Sequence, residues 1–161
     1  MTAVDPLEFR KFAGHFATGI AVITALKPDG APVGFTANSL TSLSLNPPLY
    51  LVCVTRDSDT LPVLLGAGCF GISLLSEAQQ EVSSQFAGKG GAEKFSALPV
   101  ESSPLGIPWL VGSVGHAECV VSAVYEGGDH VIVVGEVTSV KHAEGNPLLY
   151  FRGAYAALSN S

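Results

Sequence analysis

The stretch Cys119-Val120-Val121-Ser122-Ala123-Val124-Tyr125-Glu126-Gly127-Gly128-Asp129-His130-Val131-Ile132-Val133-Val134 decides the fold. Two long runs rich in β-branched residues, Val111–Glu126 and His130–His142, meet at Gly127-Gly128-Asp129, a composition suited to a tight turn. Shorter apolar runs lie on either side: Phe70–Leu75 and Leu49–Thr55 before, Leu148–Arg152 after. Ile20–Leu26 and Ala31–Ser39 form a second hairpin about the turn Lys27-Pro28-Asp29-Gly30. Strands joined by turns, with no regular alternation with helices, predict a mainly β protein with some α. It is an antiparallel barrel with short helices at its ends.

Three helices are expected. Asp5, Pro6 and Glu8 have the spacing of an N-terminal cap, and Leu7, Phe9, Phe12, Ala13 and Phe16 supply the apolar side. The polar loop Arg56-Asp57-Ser58-Asp59-Thr60 leads into a short helix at Leu61–Leu65. Ser76 and Gln79 cap the third, whose Ala78, Val82 and Phe86 recur on one face. The stretch Gly88–Pro108 reads as loop.

Composition narrows the function. The 161 residues fit a single domain, residues 1–161, with a core over about 5–155. Apolar residues make up 47% and charged ones only 14%, too few charges to cover the surface of a 16.6 kDa fold. A partner subunit or a large flat ligand would cover the rest. A net charge of −6 argues against nucleic-acid binding. The long uncharged stretches contain prolines and glycines and are not membrane spans, and no signal pattern opens the chain. Cys53, Cys69 and Cys119 are widely spaced among apolar neighbours, as buried thiols in a reducing cytoplasm would be. The four histidines lack ligand spacing, so no metal is expected.

Gly66-Ala67-Gly68-Cys69-Phe70-Gly71 matches a dinucleotide fingerprint but lies after a helix and before a strand, the reverse of the order that motif needs. Phe35-Thr36-Ala37-Asn38-Ser39-Leu40-Thr41-Ser42-Leu43-Ser44 concentrates hydroxyl and amide groups between apolar strands. It suits a solvated strand edge, and equally a neutral wall facing the pyrimidine edge of a flavin. The loops Arg56–Thr60 and Phe86-Ala87-Gly88-Lys89-Gly90-Gly91 each offer groups for a phosphate. Gly128-Asp129-His130 is a hairpin turn with a histidine opening the next strand.

Taken in order, five blocks resemble the short-chain flavin reductase family, the reductase components of two-component flavin-dependent monooxygenases. They are Phe16–Thr24, Gly34–Ser39, Ser42–Leu49, Gly128–His130 with Gly135-Glu136-Val137, and Pro147–Gly153. The resemblance implies a split-barrel homodimer that binds FAD or FMN near the subunit interface. It implies that Thr36, Ala37, Asn38, Ser39, Leu40, Thr41, Ser42 and Ser44 line the flavin, with Cys53, Val54 and Thr55 as the opposite wall. Phe86 also belongs to the flavin set, Ser58, Thr60 and Lys89 match the phosphate end, and His130, Tyr150, Phe151 and Arg152 the nicotinamide side. Leu40 stands where the family often has phenylalanine, and Gly88–Glu93 is richer in glycine than the usual pattern.

The implied activity is an NAD(P)H:flavin oxidoreductase that passes hydride from nicotinamide C4 to flavin N5 and supplies reduced flavin to a separate monooxygenase. NADH is expected over NADPH, since no basic cluster offers itself to a 2′-phosphate. A non-catalytic flavin-binding split-barrel protein is the alternative, and a partner-binding barrel module a third.

Overall fold

The computed structural model describes residues 3–159. The first third of the chain holds α1 (Pro6–Ala13), β1 (Thr18–Gly19), β2 (Ala21–Leu26), β3 (Pro32–Ala37), β4 (Leu40–Leu45) and β5 (Pro48–Thr55). Next come α2 (Leu61–Ala67), β6 (Cys69–Leu74), α3 (Gln80–Ala87), β7 (Val100–Ser102) and β8 (Pro108–Leu110). The long arms β9 (Gly115–Gly127) and β10 (His130–His142) precede β11 (Leu149–Phe151) and β12 (Ala154–Ala156).

β9 and β10 pair antiparallel from His130 opposite Gly127 to His142 opposite Gly115, as the valine-rich arms predict. They form the middle of a seven-stranded sheet ordered β3-β2-β6-β9-β10-β5-β4. Its outermost strands, β3 and β4, follow one another in the chain, linked by Asn38 and Ser39, yet share no ladder. The sheet curls round and stops short of closing: a split barrel, as expected. A three-stranded sheet β1-β11-β12 and the hairpin β7–β8 complete it.

Two apolar clusters explain the curl. Ile23, Val52, Val54, Phe70, Ile72, Cys119 and Val133 fill the concave side. Val22, Leu75, Phe86, Phe95, Leu110 and Leu148 lie on the other face, beneath α3. β2 is buried on both sides, so alternate residues serve different clusters and its sequence is apolar except for Thr24, whose hydroxyl donates to the Pro108 carbonyl.

Ser76 and Gln79 form the predicted capping box, a single 3₁₀ turn leading directly into α3. At α1, Asp5 Oδ1 accepts from the amides of Leu7 (2.9 Å) and Glu8 (3.2 Å), while the Glu8 carboxylate pairs with Lys11. The apolar side of α1 is exposed: Leu7, Phe9, Phe12 and Phe16 lie on the surface of the chain. The hydroxyl-rich stretch contains a full strand, β4, at the edge of the sheet, with a register shift between Ser42 and Ser44 and both Leu43 and Leu45 exposed. Val111–Val114 is a turn, and β9 starts at Gly115. The loop-rich Gly88–Pro108 includes a 3₁₀ turn at Ala92–Phe95 and the strand β7. The expectation of three buried thiols needs correction: Cys119 is buried, whereas Cys53 and Cys69 are only partly covered. Cys53 faces outward from β5, which the apolar character of its neighbours does not reveal.

Candidate functional site

At the split, a cavity of about 400 Å³ opens between β3 and the end of β5. One wall is set by strand periodicity. Thr55 lies opposite His130, and Cys53 lies opposite Ile132 two residues along, so Cys53, Thr55 and His130 share one face. The other wall is β3 and the link after it, from Gly34 to Ser39, with Asn38 and Ser39 exposed. Gly34 lets α3 sit close above: a Cβ there would stand 2.8 Å from the Ile23 carbonyl oxygen and 3.0 Å from the Phe86 ring. Asp57, Ser58, Asp59 and Thr60 close one end together with the segment Phe86–Gly90.

The groups at the rim are held individually. His130 Nδ1 donates to Asp129 Oδ1 at 2.8 Å, leaving Nε2 free for another partner. That bond, with the charge of His130, holds the Asp129 carboxyl below its ordinary value. Arg56 is committed elsewhere, paired with Glu126 and donating to the Gly128 carbonyl at 2.9 Å, so it braces the β9–β10 turn. The Ser58 hydroxyl accepts from the Thr60 amide at 3.3 Å. The Thr36 hydroxyl is spent on the Ser83 carbonyl at 2.6 Å, tying β3 to α3.

Of the residues singled out in the sequence, Thr36, Ala37, Asn38, Ser39, Cys53, Thr55, Ser58, Thr60, Phe86, Lys89 and His130 line this cavity. Leu40 packs against the concave cluster, Thr41 and Ser42 are exposed on the edge strand, and Ser44 is half-buried. The Val54 side chain points into the core. Tyr150 and Phe151 lie on β11 and Arg152 in the turn after it, outside the lining formed by one chain. There Phe151 meets the His15 ring at 6.3 Å, and the Arg152 amide donates to Gly14 at 2.8 Å.

Sequence reasoning missed Asp57, Asp59 and Lys94 as cavity residues. Lys94 is only 6% exposed, and its ammonium donates to the carbonyls of Gly88 (2.5 Å), Gly34 (3.4 Å) and Phe86 (3.5 Å). Burial pulls it below the ordinary lysine value. Its signal was the return of a charged pair, Glu93-Lys94, just before the core residue Phe95. The cavity is uncharged where Cys53, Asn38 and Ser39 meet and carries both cations, Lys89 and Lys94, along the α3 side. That polarity fits an amphipathic ligand with a flat heterocycle at one end and an anion at the other, in a volume usual for small-molecule sites. Among the described residues no group of His, Cys, Asp or Glu is placed to hold a metal ion.

Residues 13–159 match the model of the "Flavin reductase like domain". The chain is 40% identical over 157 residues to the reductase subunit HsaB of a flavin-dependent monooxygenase from Rhodococcus jostii, covering 97% of this chain and 80% of that one. It is 39% identical to SmoA of Agrobacterium fabrum, an FMN reductase (NADH), over 94% of this chain and 86% of the relative. Among solved structures, the Streptomyces globisporus NADH:FAD oxidoreductase SgcE6, in complex with NAD and FAD fragments, superposes with a TM-score of 0.91. It is 33% identical, and the match covers 99% of this chain and 98% of that one.

Proposed function

We propose, from the premise that this chain belongs to the flavin reductase-like family, that the cavity at the split is where flavin and reduced nicotinamide meet. The chain is an NAD(P)H:flavin oxidoreductase that uses NADH and supplies reduced flavin to a separate flavin-dependent monooxygenase. Relatives named for the reduction itself favour catalysis over flavin binding alone.

When bound, the two coenzymes supply the chemistry themselves, a hydride passing from nicotinamide C4 to flavin N5. The chain's task is position and electrostatics. Asn38 and Ser39 offer neutral donors and acceptors to the pyrimidine edge, where negative charge grows on reduction. Cys53 and Thr55 form the wall behind the ring. Ser58, Thr60 and Lys89 hold the phosphate end, and His130 Nε2, with the ring fixed by Asp129, orients the nicotinamide. The observation that carries this is the cavity's division, neutral where Cys53, Asn38 and Ser39 meet and charged at the other end, where Lys89 and Lys94 stand beside Asp57 and Asp59.

The surface supports a homodimer. The accessible area is 9336 Å², against about 7,600 Å² expected for a monomer of 16.6 kDa. Leu43, Leu45, Val120, Val124 and Val140 add exposed apolar side chains on β4, β9 and β10. Partly covered Leu51 and Ile132 continue the Cys53 wall away from the cavity, so a second copy seated there adjoins the flavin. Leu40 to Ser44, with Tyr150 and Phe151 on β11 and Arg152 just after it, then have a route to a site that spans two chains. Unpaired thiols support a cytoplasmic location, and among the described residues no helix is long and apolar enough to cross a membrane. The test is direct: add FMN or FAD, then NADH, and follow the flavin and nicotinamide absorbance bands. NADH oxidation dependent on added flavin is expected, and its absence with both flavins overturns the assignment.

A further inference from the structure

We infer that Lys94 is the positioning residue that makes this cavity accept the flavin's phosphate. This rests on the assignment of the cavity to flavin. Lys94 comes from the 3₁₀ turn after the glycine loop, yet its ammonium sits under the C-terminal end of α3. A helix end presents carbonyl oxygens and negative potential, which is hostile to an anion. Asp57 and Asp59 add two carboxylates to the same lining.

Against these stand only Lys89, exposed on the loop, and Lys94. No carboxylate lies within salt-bridge distance of Lys94 among the described residues, and its contacts are to neutral carbonyls. Glu93 and Asp59 act on that charge only from beyond hydrogen-bonding distance, and an arriving phosphate adds to their field. Lys94 therefore acts in two ways. It neutralises the carbonyls of Phe86 and Gly88 that would repel the phosphate. By tying α3 and its following loop to Gly34 on β3, it also fixes the wall against which the phosphate rests. Glu93 assists by accepting the Gly91 amide at 2.7 Å, which holds the loop turned back over Lys94. Without Lys94 the lining carries two carboxylates against one exposed lysine, and an FMN phosphate, close to a dianion at neutral pH, meets net repulsion.

The experiment compares FMN with riboflavin, which shares the ring and ribityl chain but lacks the phosphate. Flavin fluorescence titration of the wild type is expected to give tighter binding of FMN than of riboflavin. In Lys94→Met the dissociation constant for FMN rises about 10- to 100-fold, because the phosphate then meets unneutralised carbonyls and two carboxylates, while that for riboflavin stays within about threefold. The KM for FMN rises with it, and kcat at saturating FMN holds. Equal losses for the two ligands make Lys94 a structural prop and overturn the inference. Should K94M not fold, Asp59→Asn carries the test. Removing that carboxylate tightens FMN about two- to fivefold and leaves riboflavin alone, and no difference between the ligands overturns the inference. Wild-type protein that binds both ligands equally also overturns it while the flavin assignment stands. Protein that binds neither overturns the assignment itself.

Discussion

Glu118 gives the sharpest test of what holds the barrel wall. It lies on β9, 2% exposed, and accepts three hydrogen bonds. Oε2 takes the Ser103 hydroxyl at 2.5 Å and the Leu105 amide at 2.6 Å, and Oε1 takes the Thr138 hydroxyl at 2.8 Å. Burial raises the carboxyl's pKa, and these three donors more than offset it, so the group sits below its ordinary value of 4.5. Replacement by Gln keeps the volume and removes the charge. The amide oxygen can still serve Ser103 and Leu105, leaving the NH₂ group to Thr138, whose hydroxyl must turn to accept. Each bond falls from charge-assisted to neutral strength, about 1 kcal/mol apiece, so E118Q is expected to lose about 2–3 kcal/mol at pH 7.

The pH dependence follows from the sign of the shift. A carboxyl depressed by folding contributes stability that is complete above its unfolded value and fades as pH falls through its folded value. The gap between wild type and E118Q should therefore be full at pH 7 and shrink in acid below about pH 4. Urea unfolding of flavin-free protein at one fixed concentration measures both, since ligand and subunit concentration would otherwise shift the midpoint. A gap under about 0.5 kcal/mol at neutral pH refutes the reasoning, as does one that stays constant into acid.

Three further outcomes are expected. Burial pushes the Cys53 thiol up and drives Cys119, with a further push from Glu118, to about 12. Iodoacetamide should therefore label Cys53 slowly, stop doing so when FMN is bound, and leave Cys119 untouched in the folded protein, as peptide mass analysis would show. His130→Ala should raise the KM for NADH about tenfold, one charge-assisted hydrogen bond, without changing flavin affinity, and an unchanged KM removes its nicotinamide role. Leu45, 91% exposed at the end of β4, should be a dimer contact. Sedimentation of Leu45→Glu should show a shift toward monomer, and an unshifted dimer places the interface elsewhere.

The barrel was legible because its central hairpin carries its own instructions: β-branched arms and a turn that glycine and aspartate favour. β4 was less so, because an edge strand open to solvent carries polar side chains, and in sequence such a stretch reads as strand edge or as ligand wall alike. The cavity residues on one strand, Cys53 and Thr55, could be found from period two. Lys94 could not, because its place depends on a loop folding back under a helix end sixty residues from its Gly34 contact in the chain. Tyr150–Arg152 mark another limit. One chain keeps them with α1 and apart from His130, and no pattern along a single sequence says which surfaces a second copy brings together.

The gap between β3 and β4 has a mechanical consequence. Every other neighbouring pair in the main sheet is stitched by a ladder, so widening the barrel anywhere else would break backbone hydrogen bonds. At the seam only the two-residue tether Asn38-Ser39 joins the edges, and it works as an expansion joint. A flat ring can slide in and out there without any ladder having to rupture and re-form. A carrier that must load, reduce and hand off its flavin on each cycle gains turnover from a slot that opens along its one unstitched line.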